Sequence, residues 1–442
     1  MNEASAESVA RLLRYRWNIY IVQLLCIALV IFQFVVPATI GEQLAGLWRL
    51  DAATLGLLGS VLFYTYAVLQ IPSGYLSDTW GPRRTITLAM LVMSAGQFVF
   101  SLAPGLALGL AGRALTGLGG ALVLIGILKT VVVWFRVREF ATLVGLTNLA
   151  AYSGAMLATA PLAYAAVRLG WRIPLLAVAF VTLAVALLHW LLVRDDPREL
   201  GLPTIGEIDL ESITNSNADA ERPRIREAIQ AWAKTPSWVI TIAVLLSYGS
   251  IQALQTLWAG PYLIHVHEYG PVTLGTSLLL LAFGAGVGPL VAGYLSDKVT
   301  KSRKPLFIAG AIGVLAGWIW ILVTTNGASR LSINVAFLLL SFFGGFLLIG
   351  QTMIKEYVRP EVFGIVFGIY NMSVFVANAV FQLLMGWLLN ISGATTVGGS
   401  LIYSSAGYRL AFVLPVAACT IGLILVFLIP ETLKRKSATT IR

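Results

Sequence analysis

Gly74-Tyr75-Leu76-Ser77-Asp78-Thr79-Trp80-Gly81-Pro82-Arg83-Arg84 is a short polar stretch between two long apolar runs. Gly74 allows close packing, Asp78 carries a charge, Gly81-Pro82 turns the chain, and two Arg follow. Its first five residues return about half a chain later as Gly293-Tyr294-Leu295-Ser296-Asp297, followed by Lys298, Lys301, Arg303 and Lys304. A pentapeptide repeated at half-length, each copy trailed by basic residues, indicates an internal duplication.

Composition sets the solvent. The 442 residues are 58% hydrophobic and 11% charged, against roughly 25% charged in soluble domains. Several apolar runs exceed the ~18 residues that suffice to cross a bilayer. Lipid cannot satisfy free backbone groups, and no alternating barrel pattern is present, so the spans are helices. Read from apolar runs and turn residues, they cover 17–39, 53–74, 83–103, 106–130, 139–165, 172–193, 237–264, 273–295, 304–325, 332–354, 361–390 and 409–429. Around them fall an N-terminal segment 1–16, a first bundle 17–193, a polar linker 194–236, a second bundle 237–429 and a tail 430–442. Ile225 to Trp232 has the spacing of an amphipathic surface helix, and a solvated linker helix reads equally well. The net charge of +10 could suggest nucleic acid. Most of the 30 Lys and Arg instead fall in loops on one side, which predicts both termini in the cytoplasm of a multi-pass inner or plasma membrane protein. Cys26 and Cys419 lie in apolar helices and read as packing, and no small-residue cleavage site follows the first apolar run.

A second echo supports the duplication. Gly170-Trp171-Arg172 opens the sixth span and Gly407-Tyr408-Arg409 the twelfth, while Arg194-Asp195-Asp196-Pro197 and Pro430-Glu431-Thr432 close the two halves. GYLSDTWGPRR resembles the signature that major facilitator superfamily transporters carry between helices 2 and 3, and the second copy resembles its partner between helices 8 and 9. The resemblance implies an all-α integral membrane fold of twelve transmembrane helices in two pseudo-symmetric six-helix bundles. It also implies gating contacts. Asp78 would meet the start of the eleventh span and Asp297 the start of the fifth while the cytoplasmic side is closed, a carboxylate at a helix N-terminus being favourable. Arg83, Arg84 and Arg303 are candidate gate partners. Lipid headgroup anchoring is the alternative for these basic residues.

Arg113 opens Arg113-Ala114-Leu115-Thr116-Gly117-Leu118-Gly119-Gly120-Ala121, which resembles the superfamily's fourth-helix signature. In related organic-anion carriers the Arg at this position faces the substrate path, and the resemblance implies that role here. A charge within a span costs at least ~2.5–3.5 kcal/mol without a polar partner. Capping helix ends of another span is the structural alternative. Lys129 lies further along the same helix. Polar residues recur at helical spacing: Asn148 and Tyr152 in the fifth span, Tyr248, Gln252 and Gln255 in the seventh, and Asn371, Asn378 and Gln382 in the eleventh, with Tyr64 a weaker addition. Hydrogen bonds that glue helices together are the competing reading for each. Gly344-Gly345 and Gly284 to Pro289 are expected to loosen the tenth and eighth spans.

No Asp or Glu occupies the middle third of any span, and His189, His265 and His267 read as interface or packing residues. The fifth span has Gly145 and Gly154 at antiporter spacing, yet Ala158 and Thr159 stand where the later glycines of that signature belong. A cationic core without a matching acid favours an anionic substrate over drug–proton antiport. No metal-ligand spacing, phosphate loop or nucleophile–base constellation occurs, so neither an enzyme nor a cofactor is expected. The sequence reads as a monomeric carrier, surrounded by membrane lipid, of a small organic anion, carboxylate-like, working by alternating access. Importer, exchanger and uniporter are all compatible, with or without a coupling proton or ion. The alternatives are an amino-acid or amphipathic-drug carrier with an aromatic cavity, and a membrane sensor or assembly factor that kept the fold.

Overall fold

The computed structural model describes residues 3–208, 225–397 and 400–431; the linker charges Asp209 to Arg224 and the side chain of Asp78 lie outside the described residues. Among the described residues, twelve helices are long and apolar enough to cross a membrane. They are α1 (Glu7–Trp48), α2 (Ala52–Gln70), α3 (Thr79–Leu102), α4 (Leu106–Trp134), α5 (Thr142–Leu169) and α6 (Arg172–Leu192), then α7 (Ser237–His267), α8 (Pro271–Val299), α9 (Lys304–Thr324), α10 (Arg330–Tyr357), α11 (Val362–Ser392) and α12 (Ser405–Phe427). An even number puts both chain ends on one face, called here the terminal face. A short hairpin, β1 (Ala394–Val397) and β2 (Ser400–Tyr403), lies between α11 and α12 on the far face.

Packing repeats between the halves. α5 lies on α1 where Gly154 meets the Ala28 backbone, and α11 lies on α7 where Gly249 meets Ala377. α4 sits on α2 and α3, and α10 on α8, through glycines whose missing Cβ lets backbones touch. Gly284 and Gly288 belong to this second contact, pressed against Leu338, Ser341 and Phe342 of α10. α8 therefore runs unbroken through Pro289 to Tyr294, and the expected loosening there gives way to close packing. α10 does break, after Gly344-Gly345 near Leu347, and α4 breaks at the matching place after Gly119-Gly120. Cys26 and Cys419 are buried and unpaired.

The quoted stretch turns at Gly81, whose φ of 80° belongs to glycine. Asp195 accepts the Arg83 backbone N–H at 2.7 Å, and a Cβ on Gly81 would run into that carboxylate. The Arg83 guanidinium donates to the Trp190 carbonyl near the end of α6, at 2.9 and 3.1 Å, and stacks on the Trp190 ring. The second half repeats the device. Glu431 accepts the backbone N–H groups of Arg303 and Lys304 at 3.0 and 3.1 Å and the Ser302 hydroxyl, while Lys304 Nζ reaches the Phe427 carbonyl. Each carboxylate satisfies orphan N–H groups at a helix start, and each cation satisfies a carbonyl at a helix end. Arg83 in the first half and Lys304 in the second thus hold the third helix of a half to its sixth. Arg84 adds its charge beside Asp195. Asp297 pairs with Arg303 inside its own half, not with the start of α5, and Glu356 adds a second carboxylate to Arg303 at 3.5 Å. The gate contacts expected of Arg83, Asp297 and Arg303 are absent for a geometric reason: the terminal face is apart.

That separation is visible along both seams between the halves. Gly286 on α8 faces Tyr152 on α5 within van der Waals contact; two turns nearer the terminal face, on the same helix faces, Gly293 and Gly145 have nothing within 4 Å. Asn371 Nδ2 donates to Gln70 Oε1 at 3.2 Å across α11 and α2, yet Gly364, two turns back, is open. On the far face the halves touch. Gly56 and Gly386 pack α2 on α11 backbone to backbone. Glu42 Oε2 lies 2.9 Å from His265 Nε2, and His265 Nδ1 meets the Tyr408 hydroxyl at 2.9 Å. Asp51 accepts from Asn390 Nδ2 at 2.8 Å, and Tyr403 of the hairpin accepts the Ala52 N–H and donates to Asn390 Oδ1. His189 packs within its half against Thr87.

Two predictions follow from these contacts. Asp195→Ala should cost about 1 kcal/mol of stability, the usual worth of a helix cap, read as a lower thermal midpoint of the purified protein. Glu42→Gln with Asp51→Asn should loosen the far face, adding a longer component to the pulsed-EPR distance between labels on the outer ends of α1 and α7. Burial raises the Asp51 pKa, but the Thr54 N–H and Asn390 outweigh it and hold the carboxyl below its ordinary value. Its contribution to closure is therefore complete above about pH 4 and is lost as pH falls through the depressed value, a dependence the double variant should lack.

Candidate substrate cavity

Between the halves, on the terminal side of the far-face contacts, lies a cavity of about 240 Å³. The first half supplies Ile31 and Phe34 from α1, Leu124 and Leu128 from α4, and Thr147, Asn148 and Tyr152 from α5. The second supplies Tyr248, Gln252 and Gln255 from α7, Gln351 from α10, and Tyr370, Asn371 and Phe375 from α11. One wall is apolar and the other carries amides and phenols. Every lining side chain is uncharged.

The helices that build it are irregular where they line it. α7 widens into a π-turn over Leu254–Trp258, carrying Gln255 and Thr256. The breaks in α4 and α10 immediately precede Leu124 and Leu348, both lining residues. Tyr152 and Tyr248 line the cavity from opposite halves. Toward the far face, Phe34 and Tyr66 of one half close on Phe375 of the other, with ring centroids 5.8 and 4.4 Å apart. This aromatic contact stands between the cavity and the Glu42–His265 pair.

Six of the expected residues line the cavity: Asn148, Tyr152, Tyr248, Gln252, Gln255 and Asn371. Five do not. Arg113 is 1% exposed, between α1, α3 and α4, and donates from Nη1 to the Gln33 carbonyl at 2.8 Å with its guanidinium over the Phe100 ring. It lies eleven residues before Leu124, about 16 Å along the helix, and α1 presents Phe34 to the cavity and Gln33 to Arg113. The direct substrate contact expected of Arg113 is therefore replaced by a backbone contact inside the first half. Its Nε and Nη2, and both polar atoms of the Gln33 amide, are buried without a hydrogen-bond partner. Lys129 donates from Nζ to the Ser77 carbonyl at 2.6 Å, tying α4 to the connection between α2 and α3. Asn378 and Gln382 join Thr256 in a buried network, and Trp258 Nε1 donates to the Gln382 carbonyl. They glue α7 to α11, as the competing reading had it. Tyr64 also sits off the lining.

Reasoning from sequence passed over Gln351, Tyr370 and the aromatic residues Phe34 and Phe375. Tyr370 adjoins Asn371 and could have been found from the same stripe. The aromatic residues carried no signal distinguishable from lipid-facing positions.

The Major Facilitator Superfamily profile matches residues 20–382. The galactarate/D-glucarate transporter GudP of Escherichia coli (strain K12), a probable assignment, is 23% identical, covering 82% of this chain and 84% of that protein. The membrane sensor protein UhpC of the same organism is 25% identical, covering 85% of this chain and 86% of its own length. Among solved structures, a bacterial homologue of the human lysosomal transporter Spinster, in an inward-facing and unoccupied conformation, superimposes with a TM-score of 0.76 at 18% identity, covering 94% of this chain and 96% of that one. Duplicated halves, the hinge stretch with its echo, and this match over most of the chain agree: the protein is a multi-pass membrane protein that belongs to the Major Facilitator Superfamily.

Proposed function

We propose that the chain carries a small organic anion, carboxylate-like, across the cell membrane by alternating access, and that its structure is the inward-facing state with the terminal face toward the cytoplasm. The observation that carries the reading is the neutral cavity between the halves, closed by contacts on the far face and open along both seams on the other. The likeness to a protein named as a galactarate/D-glucarate transporter supports an acidic solute. Recognition rests on amide and phenol donors. Asn148, Gln252, Gln255, Gln351 and Asn371 offer N–H groups that can surround a carboxylate, and hydrogen bonds to an ionised acceptor are about twice as strong as neutral ones. Arg113 and Lys129 bias the potential from behind the lining and do not touch the solute in this state. A neutral lining suits a single negative charge better than a phosphate dianion, whose burial without cations is costly.

One observation favours a second reading. A relative that aligns over most of its length is named a membrane sensor, and the same cavity could bind a solute without moving it.

Proteoliposome uptake against a panel of carboxylates and neutral analogues separates the two. Saturable uptake is expected, with Gln252→Ala and Asn371→Ala each lowering it about tenfold, the cost of one lost hydrogen bond to a charged group. Arg113→Met should impair uptake less than either. Binding with no flux or counterflow for any solute would favour the sensor, and uptake of neutral analogues alone would remove the anion.

A further inference from the structure

The central cavity continues sideways. A second pocket of about 270 Å³ opens off it between α5 and α8, and Asn148, Tyr152, Leu348 and Gln351 line both. Beyond that doorway the walls are apolar: Leu149 and Met156 from α5, and Phe283, Val287 and Leu290 from α8. Ser153 is the one further polar side chain there, and its hydroxyl is already donated to the Leu149 carbonyl at 2.9 Å. Leu149, Phe283 and Leu290 are 58%, 48% and 55% exposed, so the pocket reaches the lipid-facing surface. Gly286 borders the passage against Tyr152, where a Cβ would come within 3.3 Å of the Tyr152 side chain and narrow it.

We propose that the site takes an amphipathic monocarboxylate, its head among the shared amides of Asn148 and Gln351 and its hydrocarbon tail in the α5–α8 pocket. The inference rests on the carrier reading above and narrows its substrate class. A polyhydroxylated acid would find no partners beyond the doorway. A hydrocarbon tail finds an apolar channel continuous with a carboxylate-binding end, and gains by leaving water. The division between an apolar wall and an amide wall in the central cavity follows the same logic.

The test is ligand-induced thermal stabilisation of the purified full chain by straight-chain acids from propionate to octanoate. The apparent dissociation constant should fall about three- to fourfold per methylene, as expected when each added group is buried. Val287→Trp, which fills the side pocket, should keep the propionate constant and lose the gain with length. Phe283→Ala, which enlarges the pocket, should move the optimum to longer acids and keeps the test decisive if the Trp variant does not fold. An unchanged constant along the series, or the same gain in Val287→Trp, would overturn the proposal. Octanol binding as tightly as octanoate would overturn its carboxylate half. Saturable lactate uptake without any gain with length would sink this inference and leave the carrier reading standing. A gain with length but no flux of any acid would do the reverse.

Discussion

Two tightly packed halves that meet on one face and stand apart on the other are the constraint from which the rest follows. Inside each half, glycines bring backbones into contact, and interiors packed to that density do not deform gradually. Closing the far face through Glu42–His265 and Asp51–Asn390 therefore parts the terminal face, and the empty surroundings of Gly145, Gly293 and Gly364 are the geometric counterpart of those contacts. The aromatic contact of Phe34 and Tyr66 with Phe375 works in the same sense. It seals the cavity on the closed side with apolar surface that is favourably kept from water, and the polar contacts beyond it give the closed face a defined register.

The site between the halves is neutral, and the cations stay behind it. Arg113 spends one N–H on the Gln33 carbonyl and leaves two nitrogens unsatisfied in the interior. Such a group is expensive to keep buried. It sits one helix away from the cavity, with α1 standing between them. The cavity itself is lined by amides, phenols and apolar side chains.

Much of the fold could be read from residue order. The repeated Gly-Tyr-Leu-Ser-Asp, the twelve apolar runs and the paired endings at Asp195 and Glu431 give the duplication, because hydrophobicity and turn chemistry are local properties. The cavity was half legible. Stripes such as Tyr248, Gln252 and Gln255 mark a polar helix face, but Asn378 and Gln382 make an equally good stripe and face a neighbouring helix. Which polar face meets water depends on how α7 rotates against α11, and a π-turn settles that rotation. Arg113 misled for a related reason. Its sequence context fixes its depth in the helix, while its direction depends on α1 standing in between.

The two hinge carboxylates differ by one methylene, and that difference sets the halves apart mechanically. Asp195 reaches one backbone N–H, and Glu431 reaches two together with a serine hydroxyl. The two carboxylates are therefore unequal fasteners: Glu431 makes three contacts and Asp195 one beside a glycine bend, where Arg83 adds its own hydrogen bonds to the Trp190 carbonyl. Of the two corresponding bends, the one at Gly81 is held by the shorter carboxylate.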